Sequence, residues 1–163
     1  MLILGIDPGY AIVGYGVIEY NGTKFRTIDY GAVTSPPNIP FPRRLEMIYD
    51  GVCELCTRYS PDAVSVEELF FNTNLKTGIA VSHGRGVILL AVQKCGIPFY
   101  EYTPLQVKQS VVGYGRAEKQ QVMQMTKTLL GLEKIPKPDD AADALALAIC
   151  HAHAAKSQLL GLI

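Results

Sequence analysis

Net charge is what this chain most conspicuously lacks. Fifteen Lys and Arg offset fifteen Asp and Glu, and charged residues make up only 18% of its 163 positions. No global basic field advertises a polyanionic partner, so any positive charge meant for nucleic acid must be local. Long apolar runs are missing as well. Hydrophobic residues reach 48%, yet no stretch approaches the ~20 consecutive positions of a membrane-spanning helix, and no membrane partner is expected. The start of the chain shows no charged, apolar and cleavage-site pattern of a secretory leader. The expectation is a cytoplasmic protein with reduced thiols. Cysteines are few, at 53, 56, 95 and 150. Cys53 and Cys56 have metal-like spacing but no second ligand pair and no thioredoxin-like context, so they read as helix-packing thiols. A chain of this length makes one domain and buries close to ~70% of its unfolded surface. We place that domain at 1–156 and a C-terminal tail at 157–163.

What is present begins with Leu2-Ile3-Leu4-Gly5-Ile6-Asp7-Pro8-Gly9. The apolar run is a buried strand, and Pro8 and Gly9 stop it just after Asp7, which leaves that carboxylate at the mouth of a sheet. Ala11 to Tyr20 is strand-like, Asn21-Gly22 signals a hairpin, and Phe25 to Val33 is the returning strand. Ser35 to Pro42, with four prolines, is a loop. Arg43 to Tyr59 carries apolar residues at three- and four-residue steps and is a helix. Ala63 to Val66 is a short strand ending at Glu67-Glu68, whose side chains must point to opposite faces, so at most one of them joins Asp7. Phe70 and Phe71 follow in a polar loop, where one ring packs inward and an exposed one can stack on a base.

Leu75 to Cys95 reads as a helix interrupted by Gly84-Arg85-Gly86. Its Val87 to Val92 segment is apolar nearly all round, which suits burial on two fronts, against another helix of the same chain or at a subunit interface, for which it is the candidate. Ile97 to Tyr102 is a further strand. From Pro104 to Leu130 the chain turns helical and locally basic, with Lys108, Arg116, Lys119 and Lys127 around a flexible Gly113-Tyr114-Gly115. This is either a solvated face or a phosphate-contacting edge. The last helix starts at Asp139, a good N-cap. Asp140 and Asp143, three apart, share one face. His151 and His153 near its end read as core or surface residues rather than ligands.

Asp7, Glu67, Asp140 and Asp143 gathered in one place would concentrate four negative charges, which calls for protonation or a cation. Hard divalent Mg²⁺ suits such a set, with Mn²⁺ a plausible substitute. Two ions about 3.5–4 Å apart would clamp a scissile phosphodiester.

The segments GIDPG, GYGVI, SVEELF, HGRGV, QVKQSVVGYGRAEKQQV and DDAADALALAI, in this order, resemble the RuvC family of crossover junction endodeoxyribonucleases. The resemblance covers Leu2 to about His153. It implies an α/β, ribonuclease H-like fold with a mixed five-stranded sheet, three antiparallel strands and then parallel ones, flanked by helices. It also implies that Asp7, Glu67, Asp140 and Asp143 are the catalytic and metal-binding acids. Phe70 takes the place of the ring that stacks at the junction, with Phe71 beside it as an addition of this sequence, and Lys108 and Lys119 match DNA-contacting positions, with Arg116 nearby. A homodimer would bind a four-way DNA junction, nick two strands of like polarity to leave 5′-phosphate and 3′-hydroxyl ends, and work with the RuvA–RuvB branch-migration machinery. A short thymine-containing cleavage sequence is the family's preference.

Two readings of other classes stand beside this one. GIDPG before a glycine-rich hairpin also resembles the opening of the actin-like ATPase and sugar kinase fold, which needs a second similar domain and another phosphate loop. A junction-binding module without catalysis is the other, and clustered negative charge beside DNA argues against it. Nucleotide binding without DNA tests the first, and metal-dependent nicking the second.

Overall fold

Residues Leu2–Asp7 form strand β1, and the alternation along it divides the molecule into two sides. Ile3 joins one buried cluster, while Leu4 and Ile6 join the other. Odd-numbered positions therefore face one layer of helices and even-numbered positions the opposite layer. The computed structural model describes residues 1–68 and 75–159, with side chains described outside 75–77 and 156–159.

The remaining elements are β2 (Ile12–Tyr20), β3 (Phe25–Thr34), α1 (Phe41–Tyr59), β4 (Ala63–Glu67), α2 (Leu75–Lys94), β5 (Phe99–Tyr102), α3 (Pro104–Val112), α4 (Lys119–Leu129) and α5 (Asp139–Leu159). The five strands form one sheet in the order β3-β2-β1-β4-β5. β1 to β3 pair antiparallel, and β4 joins β1 and β5 in parallel. The expected mixed sheet is thus the observed one. α1 and α2 cover the face that holds Leu4, Ile6, Val64 and Val66. α5, backed by α3 and α4, covers the face that holds Ile3 and Ile18.

α5 lies unusually close to the sheet, and glycines make that possible. A Cβ on Gly5 would sit 1.9 Å from the Ala144 carbonyl oxygen, and one on Gly14 would sit 2.0 Å from that of Asp140. No side chain fits there. The paired run Gly5↔Gly16 and Asp7↔Gly14 clears a lane across β1 and β2, and the alanine-rich α5 lies along it.

Several boundaries differ from the sequence-based expectation. α1 begins at Phe41, not Arg43, because a proline in the first turn lacks only an N–H that no helical carbonyl would receive. The hairpin expected between Tyr20 and Phe25 is present as a four-residue connection, with Asn21 N–H donating to the Lys24 carbonyl at 3.3 Å. α2 runs through Gly84-Arg85-Gly86 without interruption. Glycine costs a helix only about 1 kcal/mol relative to alanine, and packing outweighs that: a Cβ on Gly84 would meet the Gly9 carbonyl at 2.4 Å. β5 starts at Phe99, since Pro98 accepts from Val64 N–H at 2.9 Å but has no N–H to continue the ladder. The basic stretch is two helices, α3 and α4, each opened by a capping box, at Thr103/Gln106 and Glu118/Gln121. Asp139 is the first residue of α5 and not its cap, and its carboxylate pairs with Lys137 Nζ at 2.6 Å. α5 continues to Leu159, so residues 157–159 are helical.

Candidate active site

Asp7 ends β1 and Glu67 ends β4, one step beyond the Ile6↔Val66 pair of two adjacent parallel strands. Parity places both side chains on the α5 side, because Gly5 faces Ala144 and the Ser65 hydroxyl donates to the Leu147 carbonyl at 2.7 Å. Glu68 falls on the other parity and is exposed, so the opposite-face expectation for the pair holds. Carboxyl ends of neighbouring parallel strands form the usual crevice of open α/β sheets. α5 then brings its first turn, with Asp140, and Asp143 one turn on, over that crevice.

The electrostatics show how closely the acids gather. Asp7 is pushed from 3.8 up to about 8, first by burial and then by the charges of Glu67, Asp143 and Asp140. Glu67 is raised by burial and by Asp143. Burial raises Asp143 as well, while Lys119 opposes the shift. Lys119, at the start of α4, donates from Nζ to Asp143 Oδ2 at 2.8 Å, and this contact raises the lysine in turn. With its side chain 58% exposed, Lys119 makes a surface pair worth under about 1 kcal/mol. It neutralises one edge of the cluster and leaves the rest for another cation.

A cleft of about 190 Å³ opens beside the acids, and Glu67, Asp143, Lys108, Lys119, Pro104 and Val107 line it. Asp7 and Asp140 act on this site from outside that lining. Arg116 is exposed on the α3–α4 connector and does not line the cleft. Phe70 and Phe71 lie outside the described residues. Among the described residues no three His, Cys, Asp or Glu side chains are placed together so as to hold a metal ion. An oxygen-rich open edge of this kind is nonetheless what Mg²⁺ accepts, since it keeps several waters and takes one or two carboxylates together with phosphate oxygens. Asp7, Glu67 and Asp143, each raised by burial and by neighbouring carboxylates, with the Lys119 ammonium beside Asp143, fit a divalent cation.

The two histidines are elsewhere. His151 is 4% exposed, with Nδ1 2.8 Å from the Tyr102 hydroxyl, and His153 Nδ1 lies 3.0 Å from Ser110 Oγ. Cys56 is buried and Cys53 half-buried on α1, the helix-packing thiols expected. Sequence reasoning did not single out Gly5 and Gly14, although glycines at alternate strand positions opposite an alanine-rich helix are a readable sign of close approach. Nor did it give a role to Arg85, whose Nε donates to the Glu67 carbonyl at 3.1 Å.

Sheet order and acidic strand ends together define a nuclease-like domain of the ribonuclease H-like class. The yeast mitochondrial Holliday junction resolvase shares this fold, with a TM-score of 0.68 over 98% of this chain and 82% of that one, at 16% identity. The family model described as crossover junction endodeoxyribonuclease RuvC matches residues 3–151. A Clostridioides difficile protein of that name is 62% identical over 96% of this chain and 92% of its own length. The Thermus thermophilus RuvC solved with a Holliday junction substrate superposes with a TM-score of 0.91 at 38% identity, covering 97% of this chain and 96% of that one. The chain belongs to the RuvC family of crossover junction endodeoxyribonucleases.

Proposed function

We propose that this protein resolves four-way (Holliday) DNA junctions in recombination and repair by nicking two strands of like polarity, through a metal site built from Asp7, Glu67, Asp140 and Asp143. The observation that carries the reading is that two strand ends and one helix start bring acids to a cleft that Lys108 and Lys119 also line. Metal dependence belongs to the family; two Mg²⁺ ions, replaceable by Mn²⁺, are our proposal for this chain. When bound, they supply the Lewis acidity that activates water and steadies the leaving 3′ oxygen. Burial and the neighbouring carboxylates raise Asp7, Glu67 and Asp143 above the ordinary carboxylate range, and a bound cation would offset that bias. Lys108 and Lys119 hold the phosphates flanking the scissile bond, and Arg116 extends the basic edge along the strand. Phe70 is the proposed stacking ring.

The proposed homodimer would match the two-fold symmetry of the junction. Its supporting observation is on α2, where Ile79 and Leu90 are 57% and 52% exposed. They line an apolar groove with Leu45 and Val87, and Gly86 has nothing over it. RuvA–RuvB is the partner the family resemblance implies, and the bacterial cytoplasm the compartment. Among the described residues no helix is long and apolar enough to cross a membrane.

A nicking assay on a four-way junction, with Mg²⁺ or chelator and beside a linear duplex of the same sequence, tests the reading. Paired symmetric nicks that require metal and spare the duplex are expected. Tight binding without incision across a panel of junction sequences would replace it with a binding module, and ATP binding without junction binding would replace it with the ATPase reading.

A further inference from the structure

Two consecutive residues in the middle of α2 touch both of the strand ends that carry the site. Gly84 lies against the Gly9 carbonyl, in the turn directly after Asp7, so closely that a Cβ would approach it to 2.4 Å. Arg85 is the next residue. Its Nε donates to the main-chain carbonyl of Glu67 at 3.1 Å, while Nη2 forms an ion pair with Glu101 of β5. Glu101 is paired with Val66, so one guanidinium spans the ends of two neighbouring strands. The Arg85 side chain is only 16% exposed. It approaches from the α2 face, behind the sheet, whereas the Glu67 carboxylate points to the α5 face.

A guanidinium buried this far needs its donors satisfied, and a carbonyl at the terminus of a strand needs a donor. The planar fork meets both requirements at once, which a single ammonium on a lysine stem cannot do. We propose that Arg85 is a positioning residue that fixes the last residue of β4 from behind, and thereby sets the Glu67 carboxylate for metal binding. The proposal rests on the reading of Glu67 as an active-site ligand. Groups that orient a ligand in this manner commonly change metal affinity by about 10–100-fold when removed.

The test compares wild type, Arg85→Met, Arg85→Lys and Glu101→Gln. Mn²⁺ binding to the DNA-free protein is followed by electron paramagnetic resonance titration. The Mg²⁺ concentration for half-maximal single-turnover nicking, the junction Kd and the thermal midpoint are measured alongside. Arg85→Met should weaken Mn²⁺ binding about 10-fold or more and raise the Mg²⁺ midpoint by a similar factor, with junction Kd within about 2-fold of wild type. Arg85→Lys keeps the charge opposite Glu101 and should remain folded, yet show most of the same metal defect. Glu101→Gln leaves the bond to the Glu67 carbonyl and should lose less. Wild-type metal affinity in a folded Arg85→Lys protein would overturn the proposal. So would lowered thermal midpoints with an unchanged Mg²⁺ midpoint, which would make Arg85 merely structural. A wild-type protein that neither binds Mn²⁺ nor nicks junctions would remove the resolvase reading itself, and the proposal with it.

Discussion

Asp7 is a carboxylic acid whose environment disfavours the form in which it would be useful as a ligand. Its pKa stands at about 8 against 3.8 for an ordinary aspartate, with burial the largest cause. Between those values the unfolded chain releases the proton and the folded one keeps it, so metal-free stability falls as pH rises from about 4 towards 8 and is level above that. Asp7→Asn removes this slope. In chelator at pH 7 the variant should be more stable than wild type by about 1–3 kcal/mol, with the two converging as pH approaches 4. Mg²⁺ should stabilise wild type and leave the variant unmoved. Urea denaturation across pH, with and without Mg²⁺, checks both statements, and identical pH slopes would mean that Asp7 titrates normally. The same variant should lose nicking by about 10³-fold or more while binding junctions normally, since Lys108 and Lys119 are untouched. Lys119 provides the complementary case. Lys119→Ala should slow nicking and reduce the slope of log K against log salt by about 1. An unaltered slope in a filter-binding series would show that Lys119 serves Asp143 alone.

Among the elements, α5 decides whether the four acids meet. Its approach depends on strand positions that carry no side chain, and here the limits of sequence reading become concrete. Asp7, Glu67, Asp140 and Asp143 were legible because strand ends, helix starts and an i, i+3 pair are local patterns, and the five strands were legible for the same reason. Gly14 was not, because its meaning is the Asp140 carbonyl on an element more than a hundred residues later. Arg85 escaped similarly: between two glycines it read as a break, whereas the helix continues because Gly84 packs on the turn after Asp7. Local propensity lost to tertiary packing at that point. Asp139 shows the reverse error, a good cap by type that pairs instead with Lys137. If the lane across β1 and β2 positions the site, Gly14→Ala should push α5 outward at its acidic end. We expect a loss of stability of about 2–4 kcal/mol and of nicking beyond what that loss explains. Activity assayed well below the thermal midpoint separates the two effects, and full activity in a destabilised variant would show that the site tolerates the shift.

At the scale of the whole molecule, one copy of this chain presents one acidic crevice, whereas a four-way junction is resolved only when two strands are cut. Two independent single nicks would leave a junction half cut whenever the second failed, so pairing of the sites has to come from the assembly. The apolar groove on α2 is the surface proposed for it, and α2 is also the helix whose Gly84 and Arg85 touch the strand ends behind Asp7 and Glu67. A second copy seated there would bear on the element that braces each active site. Leu90→Asp places a charge in that groove at a position already half exposed, so the monomer should fold with a thermal midpoint close to wild type. If wild type is the proposed homodimer, light scattering should show the variant at half its mass. On a supercoiled plasmid that extrudes a cruciform, it should give nicked circles where wild type gives linear product, because the two incisions are no longer made within the lifetime of one complex. Linear product from a variant that remains monomeric would mean that two chains meet only on the DNA, and a Leu90→Asp protein that is still dimeric would move the interface off α2.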